Sequence, residues 1–207
     1  RHFERVIATE PSAEQLREAR PHPRVEYRQE PAESMSAETV SADLVTVAQA
    51  AHWFDWPRFT AEVVRVLRKG GVLAIWSYNN CQVTPAIDRL VADFSRDVVG
   101  PYWPRERRIV EEGYRSFALP FAPMAVPAFE MTTRWDREAM LGYLDTWSAV
   151  RRCRAATARD PLYNRTTTPR SPRRASRRPR FSLAMRTRQV TSPVASSALR
   201  STTSALS

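Results

Sequence analysis

Glu10, the triplet Pro31-Ala32-Glu33, the stretch Ala48-Gln49 to His52-Trp53, and Ser77-Tyr78-Asn79-Asn80 share one property. Each follows directly on a short apolar or alternating run that reads as a β-strand. In an open parallel sheet, ligands bind beyond the carboxyl ends of the strands, so these are the places to look for chemistry. An acid at such an end, as Glu10 after "VIAT", is placed to accept hydrogen bonds from the two hydroxyls of a ribose. Pro31-Ala32-Glu33 puts a small residue beside an acid, which suits the edge of an adenine ring. "VAQAAHWFDW" (47–56) ends an apolar run in Gln, His, Trp, Phe and Asp. His52 and Trp53 read equally as the packing of a strand-to-helix corner, with Asp55 capping a helix whose first turn holds Pro57.

The elements that must position these residues alternate. "RVIATE" is a strand, and "PSAEQLREAR" a helix with Ser12 three residues before Gln15, the spacing of a capping box. "RVEYRQE" alternates as a strand does, and "ADLVTVAQA" (42–50) is nearly continuous in apolar residues, as expected of a strand covered on both faces. Phe59, Val63, Val66 and Leu67 form one stripe of a helix over 58–69, which Gly70-Gly71 should end before the strand "VLAIWSY" (72–78). Strand–helix repetition predicts an α/β fold, a Rossmann-like, mostly parallel sheet with helices on both faces. Residues 85–115 read as helical with a break at "GPYWP", 129–135 as a strand and 136–152 as one amphipathic helix capped by Asp136.

The net charge of +10 divides unevenly. Residues 1–150 hold 18 Lys+Arg and 21 Asp+Glu, whereas 151–207 hold 14 Arg and one acid, Asp160. The body has no basic face, which argues against nucleic acid as its partner. The tail could bind RNA through its arginines, but only Tyr163 and Phe181 offer rings for base stacking beyond residue 160. Residues 161–207 are rich in Arg, Ser, Pro and Thr without a period, and disorder is expected there. His2, His22 and His52 are dispersed and Cys81 and Cys153 lie far apart, so no metal site and no disulfide framework are expected. No apolar run is long enough to span a membrane, and a reduced, cytoplasmic protein is the expectation. Oligomeric state has no signature in the sequence.

"VIATEPSAEQLREA", "VEYRQEPAES", "ADLVTVAQAAHWFDWPRFTAEVVRVLRKGGVLAIWSY" and "GPYWPRERRIVEEGYRSF…PFAP" together resemble, in order and spacing, class I S-adenosylmethionine-dependent methyltransferases. The branch is methyltransferase type 11, similar to trans-aconitate methyltransferases. The resemblance covers about residues 3–160. It implies a partial methyltransferase domain over 1–160 with a substrate-covering helical insertion at about 85–115. It further implies S-adenosylmethionine as cofactor and methyl transfer to a small-molecule acceptor. By the same resemblance Glu10 would hold the ribose, Ala32 and Glu33 the adenine, and Ala48 and Gln49 the methionine part. His52, Trp53 and Tyr78 are the acceptor-side candidates, with no single catalytic residue assigned. A carboxylate acceptor would want a cation, which Arg105, Arg107 and Arg108 offer.

The family's first strand and glycine-rich loop would lie before Arg1, and no G-x-G occurs in the chain. A truncated start, a tail read in a shifted frame and a crippled cofactor site are therefore the expectation. Three other readings stay open: an inactive remnant or interaction module, a basic-tail nucleic-acid binder, and a nucleotide-dependent oxidoreductase. The last lacks a phosphate-cradling glycine turn.

Overall fold

The computed structural model describes residues 2–125 and 129–163, and the backbone of 181–193. The described residues fall into two compact units, one built mainly from 2–77 and 113–125, the other from 78–112, 129–163 and the first part of the last strand.

In the first unit, strand β1 (Val6–Thr9) pairs in parallel with β2 (Val25–Arg28), Val6 opposite Val25 and Thr9 opposite Arg28. Helix α1 (Ala13–Arg17) connects them, and the Ser12 hydroxyl accepts the Gln15 N–H at 3.3 Å, the capping bond that the sequence spacing predicts. Strand β3 (Ala42–Ala48) pairs in parallel with β4 (Leu67–Tyr78). Helix α2 (Trp56–Val66) crosses between them, with Asp55 accepting the Arg58 N–H at 3.2 Å and Pro57 in the first turn. Phe59, Val63 and Val66 recur at helical spacing and are buried, as are Leu73, Ile75 and Ser77 of β4. Beyond the strand ends, residues 113–125 return to this unit, where Tyr114 and Phe121 are buried.

Several expectations need correction. Gly70-Gly71 does not stop α2 but lies inside β4, because α2 ends at Val66. Gly70 takes a left-handed φ of 79°, and a Cβ on Gly71 would meet Arg68 O at 2.9 Å and Ala42 O at 3.1 Å. The pair lets the strand start early and pass close to β3. Strand β3 is not covered on both faces: Asp43, Thr46 and Ala48 are exposed and Val47 buried.

In the second unit the helical stretch consists of α3 (Pro85–Asp93), a π turn (Phe94–Val98), a 3-10 turn (Gly100–Tyr102) at the expected "GPYWP" break, and α4 (Arg107–Glu111). Pro101 and Pro104 lack the N–H that an unbroken helix needs. Strand β5 (Glu130–Trp135) precedes two helices, α5 (Arg137–Asp145) and α6 (Ser148–Thr157), where one was expected. Asp136 caps α5 as predicted, accepting the Ala139 N–H at 2.9 Å. The break falls at Trp147, whose extended backbone (ψ 130°) buries the indole against Trp103 and Tyr143, with centroids at 5.2 and 5.9 Å.

Most of the stretch 161–207 expected to be disordered lies outside the described residues. Strand β6 (Phe181–Pro193) runs antiparallel to β5, Phe181 opposite Trp135 and Arg186 opposite Glu130. Residues 164–180 and 194–207 are the parts outside the described residues. Because the arginines and hydroxyl residues of β6 lower its mean hydropathy, composition alone hides a strand whose pairing is made by the backbone.

Candidate functional site

The first unit gathers the candidates at the carboxyl ends of its parallel strands. Glu10 follows β1, and its backbone N–H donates to Arg28 O at 3.1 Å, so the two strands stay in register through this residue. Its Oε1 accepts the Ser12 N–H at 2.8 Å. Oε2 has no protein partner among the described residues, and the side chain is half-buried.

Beyond β2, Glu30 is a residue the sequence reading passed over. Its Oε2 accepts from the Ser36 hydroxyl at 2.6 Å and the Ser36 N–H at 3.1 Å, while Arg28 donates to the same hydroxyl at 2.7 Å. Glu30 Oε1 is buried and finds no hydrogen-bond partner among the described residues. A buried carboxylate oxygen left without a donor costs free energy, so its natural complement is an N–H or O–H from outside the chain. Only its place at a strand end could have signalled this.

Ala32 and Glu33 follow in the same loop. Glu33 Oε1 accepts the Asp55 N–H at 2.8 Å, which ties this loop to the start of α2. The loop is also pinned by Arg65 and Glu62 of α2. Arg65 donates to Met35 O at 2.8 Å and Ala37 O at 2.9 Å, and Glu62 accepts the Met35 N–H at 2.7 Å. The Arg65 side chain, hydrogen-bonded to Glu62, holds that carboxyl below the ordinary glutamate range.

Ala48 ends β3 exposed, opposite Trp76. Gln49 turns the chain out of the strand with a left-handed φ of 53°, its N–H donating to Trp76 O at 3.0 Å. A 3-10 turn over Ala51–Trp53 then carries His52 and Trp53 to the surface, Trp53 being 55% exposed. The rings of His52 and Trp53 lie 4.7 Å apart. The returning segment supplies a partner the sequence did not disclose: Tyr114 Oη lies 3.1 Å from His52 Nδ1. Burial pushes the Tyr114 phenol up to about 12. Phe117 stacks on Tyr114 at 5.3 Å and on Trp56 at 3.9 Å, and Trp56 Nε1 donates to Ala118 O at 2.8 Å.

The remaining candidates lie in the second unit. Tyr78 packs half-buried against that unit's core. Asn79 Oδ1 is buried without a partner among the described residues. Arg107 donates to Asn80 Oδ1 and to Glu111 Oε1, each at 3.1 Å, and lies over the Trp103 ring at 4.7 Å. Arg108 is exposed beside Glu112, and Arg105 is exposed. Among the described residues no group of His, Cys, Asp and Glu is arranged to hold a metal, and no helix is long and apolar enough to cross a membrane.

A family model described as a methyltransferase domain matches residues 1–75. A structure titled "Putative Type II Methyltransferase" from Anaeromyxobacter dehalogenans is 35% identical, covers 92% of this chain and 81% of its own, and superposes with a TM-score of 0.79. The chain belongs to the class I S-adenosylmethionine-dependent methyltransferases. A "putative methyltransferase" of Dictyostelium discoideum is 36% identical over 159 residues, 72% of this chain. This methyltransferase chain spans 57% of that protein's length. The matched stretch 1–75 contains Glu10, Glu30, Ala32, Glu33, Ala48, Gln49, His52 and Trp53.

Proposed function

We propose that the chain takes part in methyl transfer from S-adenosylmethionine to a small-molecule acceptor. One observation carries the reading. Glu10 and Glu30, just beyond the ends of adjacent parallel strands, each commit one carboxylate oxygen within the chain, and the other oxygen of Glu30 is buried without a partner among the described residues. The cofactor offers complementary donors, a ribose diol and an adenine amine, so the residues present fit it. On this reading Glu10 accepts from the ribose, and Glu30 with Ala32 edges the adenine. Glu33 holds the loop to the corner, and Ala48 and Gln49 border the methionine part. Within the first unit, His52 and Trp53 are the residues on the acceptor side.

S-adenosylmethionine, when bound, supplies a methyl group already activated on a sulfonium. The chain's own residues then have to bind, align and exclude water rather than carry heavy acid–base chemistry. An aromatic face such as Trp53 favours a nearby cation. The small-molecule acceptor is part of this proposal, as is a cytoplasmic setting.

A second reading, a cofactor-free remnant serving as an interaction module, draws on a different observation. The pairs β1·β2 and β3·β4 belong to separate sheets, with no strand joining them among the described residues. Incubation with methyl-labelled S-adenosylmethionine and a panel of small carboxylates, amines and phenols separates the two. The first reading expects label in the small-molecule fraction. A panel left unlabelled favours the second.

A further inference from the structure

The contact between His52 and Tyr114 is more constrained than packing requires. Gly113 and Tyr114 are consecutive left-handed residues, with φ of 65° and 60°. For glycine that conformation is ordinary, but for a bulky aromatic it is strained and persists only where its surroundings over-determine it. Here the double turn aims the Tyr114 ring back at the strand-end corner, and Phe117 stacked parallel to it (7°) holds the ring plane. The phenol is 3% exposed as a residue and ends 3.1 Å from one nitrogen, Nδ1, of His52.

We propose that Tyr114 is a positioning residue. Its hydroxyl donates to His52 Nδ1 and thereby keeps the imidazole proton on Nε2, so that the ring holds a donor nitrogen and no basic one. Two arguments fix the direction of the bond. A buried phenol whose proton is held up to about pH 12 stays protonated and donates. A neutral imidazole nitrogen is also a far stronger acceptor than a phenol oxygen, so O–H···N pairs the better donor with the better acceptor. The tautomer follows from the second nitrogen of the ring. The consequence for the bound molecule rests on the methyl-transfer reading, whereas the tautomer does not. For that reading it means an acceptor whose reacting or neighbouring group carries a lone pair without needing its proton removed by His52.

The test is nitrogen NMR of the imidazoles in the full 207-residue chain at about pH 8, above the ordinary histidine range of ~6.5. With only three histidines, His52→Gln assigns the His52 signals. The wild type is expected to show His52 wholly as the Nε2–H form, with a slowly exchanging Tyr114 hydroxyl proton coupled to Nδ1. In Tyr114→Phe the Nδ1–H form should appear, and the tautomer ratio should move to that of exposed His2. An Nδ1–H signal in the wild type, or an unchanged ratio in Tyr114→Phe, overturns the proposal. Should Tyr114→Phe fail to fold, the wild-type pattern and the hydroxyl cross-peak decide alone, the absence of that cross-peak counting against it. Binding of S-adenosylhomocysteine, measured in parallel, reads the methyl-transfer account separately from the tautomer.

Discussion

At the scale of residues, the account turns on acceptors that the chain itself does not use up. If Glu30 Oε1 accepts a hydrogen bond from an adenine amine, Glu30→Gln replaces that acceptor with a donor while its remaining amide oxygen can still face Ser36. S-adenosylhomocysteine should then bind at least about 10-fold more weakly, and S-inosylhomocysteine, which carries an oxygen in place of the amine, should gain. Competition binding with the two ligands checks it; equal losses for both would show Glu30 to be only a loop staple. Asp55 makes a separate prediction about stability. Asp55→Ala removes the cap on α2 and should cost about 1 kcal/mol in urea unfolding. Glu10, Gln49, His52 and Asp55 were legible in the sequence because strand ends and helix caps are local patterns. Tyr114 was not, since its contact with His52 joins positions 62 residues apart and depends on the Gly113-Tyr114 turn.

At the scale of elements, α2 does more than bury a stripe, because Glu62 and Arg65 on it clamp the loop between β2 and β3. Glu62→Ala would leave the Met35 N–H without its acceptor and should destabilise the fold by about 1–3 kcal/mol, read by urea unfolding. The pH dependence has a definite sign. The Arg65 hydrogen bond lowers the folded Glu62 carboxyl below its ordinary value of ~4.3. Its contribution is therefore whole above about pH 4.3 and is lost as pH falls through the lower folded value. Unfolding at pH 6 and pH 3.5 should show a smaller acid-induced loss in Glu62→Gln than in the wild type; parallel losses would rule the clamp out. Gly71→Ala should also destabilise by about 1–3 kcal/mol, because the new methyl meets two backbone oxygens that cannot swing aside. Sequence periodicity located α2 and β4 but misplaced the boundary between them. Gly70-Gly71 reads as a helix stop until its left-handed φ and the close pass to Ala42 are known. The split of the expected last helix at Trp147 was hidden for a similar reason: ring packing in the core outweighed a continuous helical pattern.

At the scale of the whole molecule, the α/β class was legible from strand–helix alternation, and the methyltransferase family from the order of several weak motifs. At this scale too, β6 pairs with β5 through backbone bonds. Leu183→Pro, which removes one N–H from that strand, should weaken the pairing with β5 and raise amide exchange across Glu130–Trp135; unchanged exchange there would contradict it. The central claim concerns the strand ends of the first unit. Calorimetric titration of the full chain with S-adenosylhomocysteine, for the wild type and for Glu10→Ala, tests it most directly. The account predicts micromolar binding by the wild type. Loss of a charge-assisted bond worth roughly 1.5–3 kcal/mol should weaken Glu10→Ala by roughly 10- to 100-fold. No heat of binding by the wild type, or equal affinity in the two proteins, would contradict it.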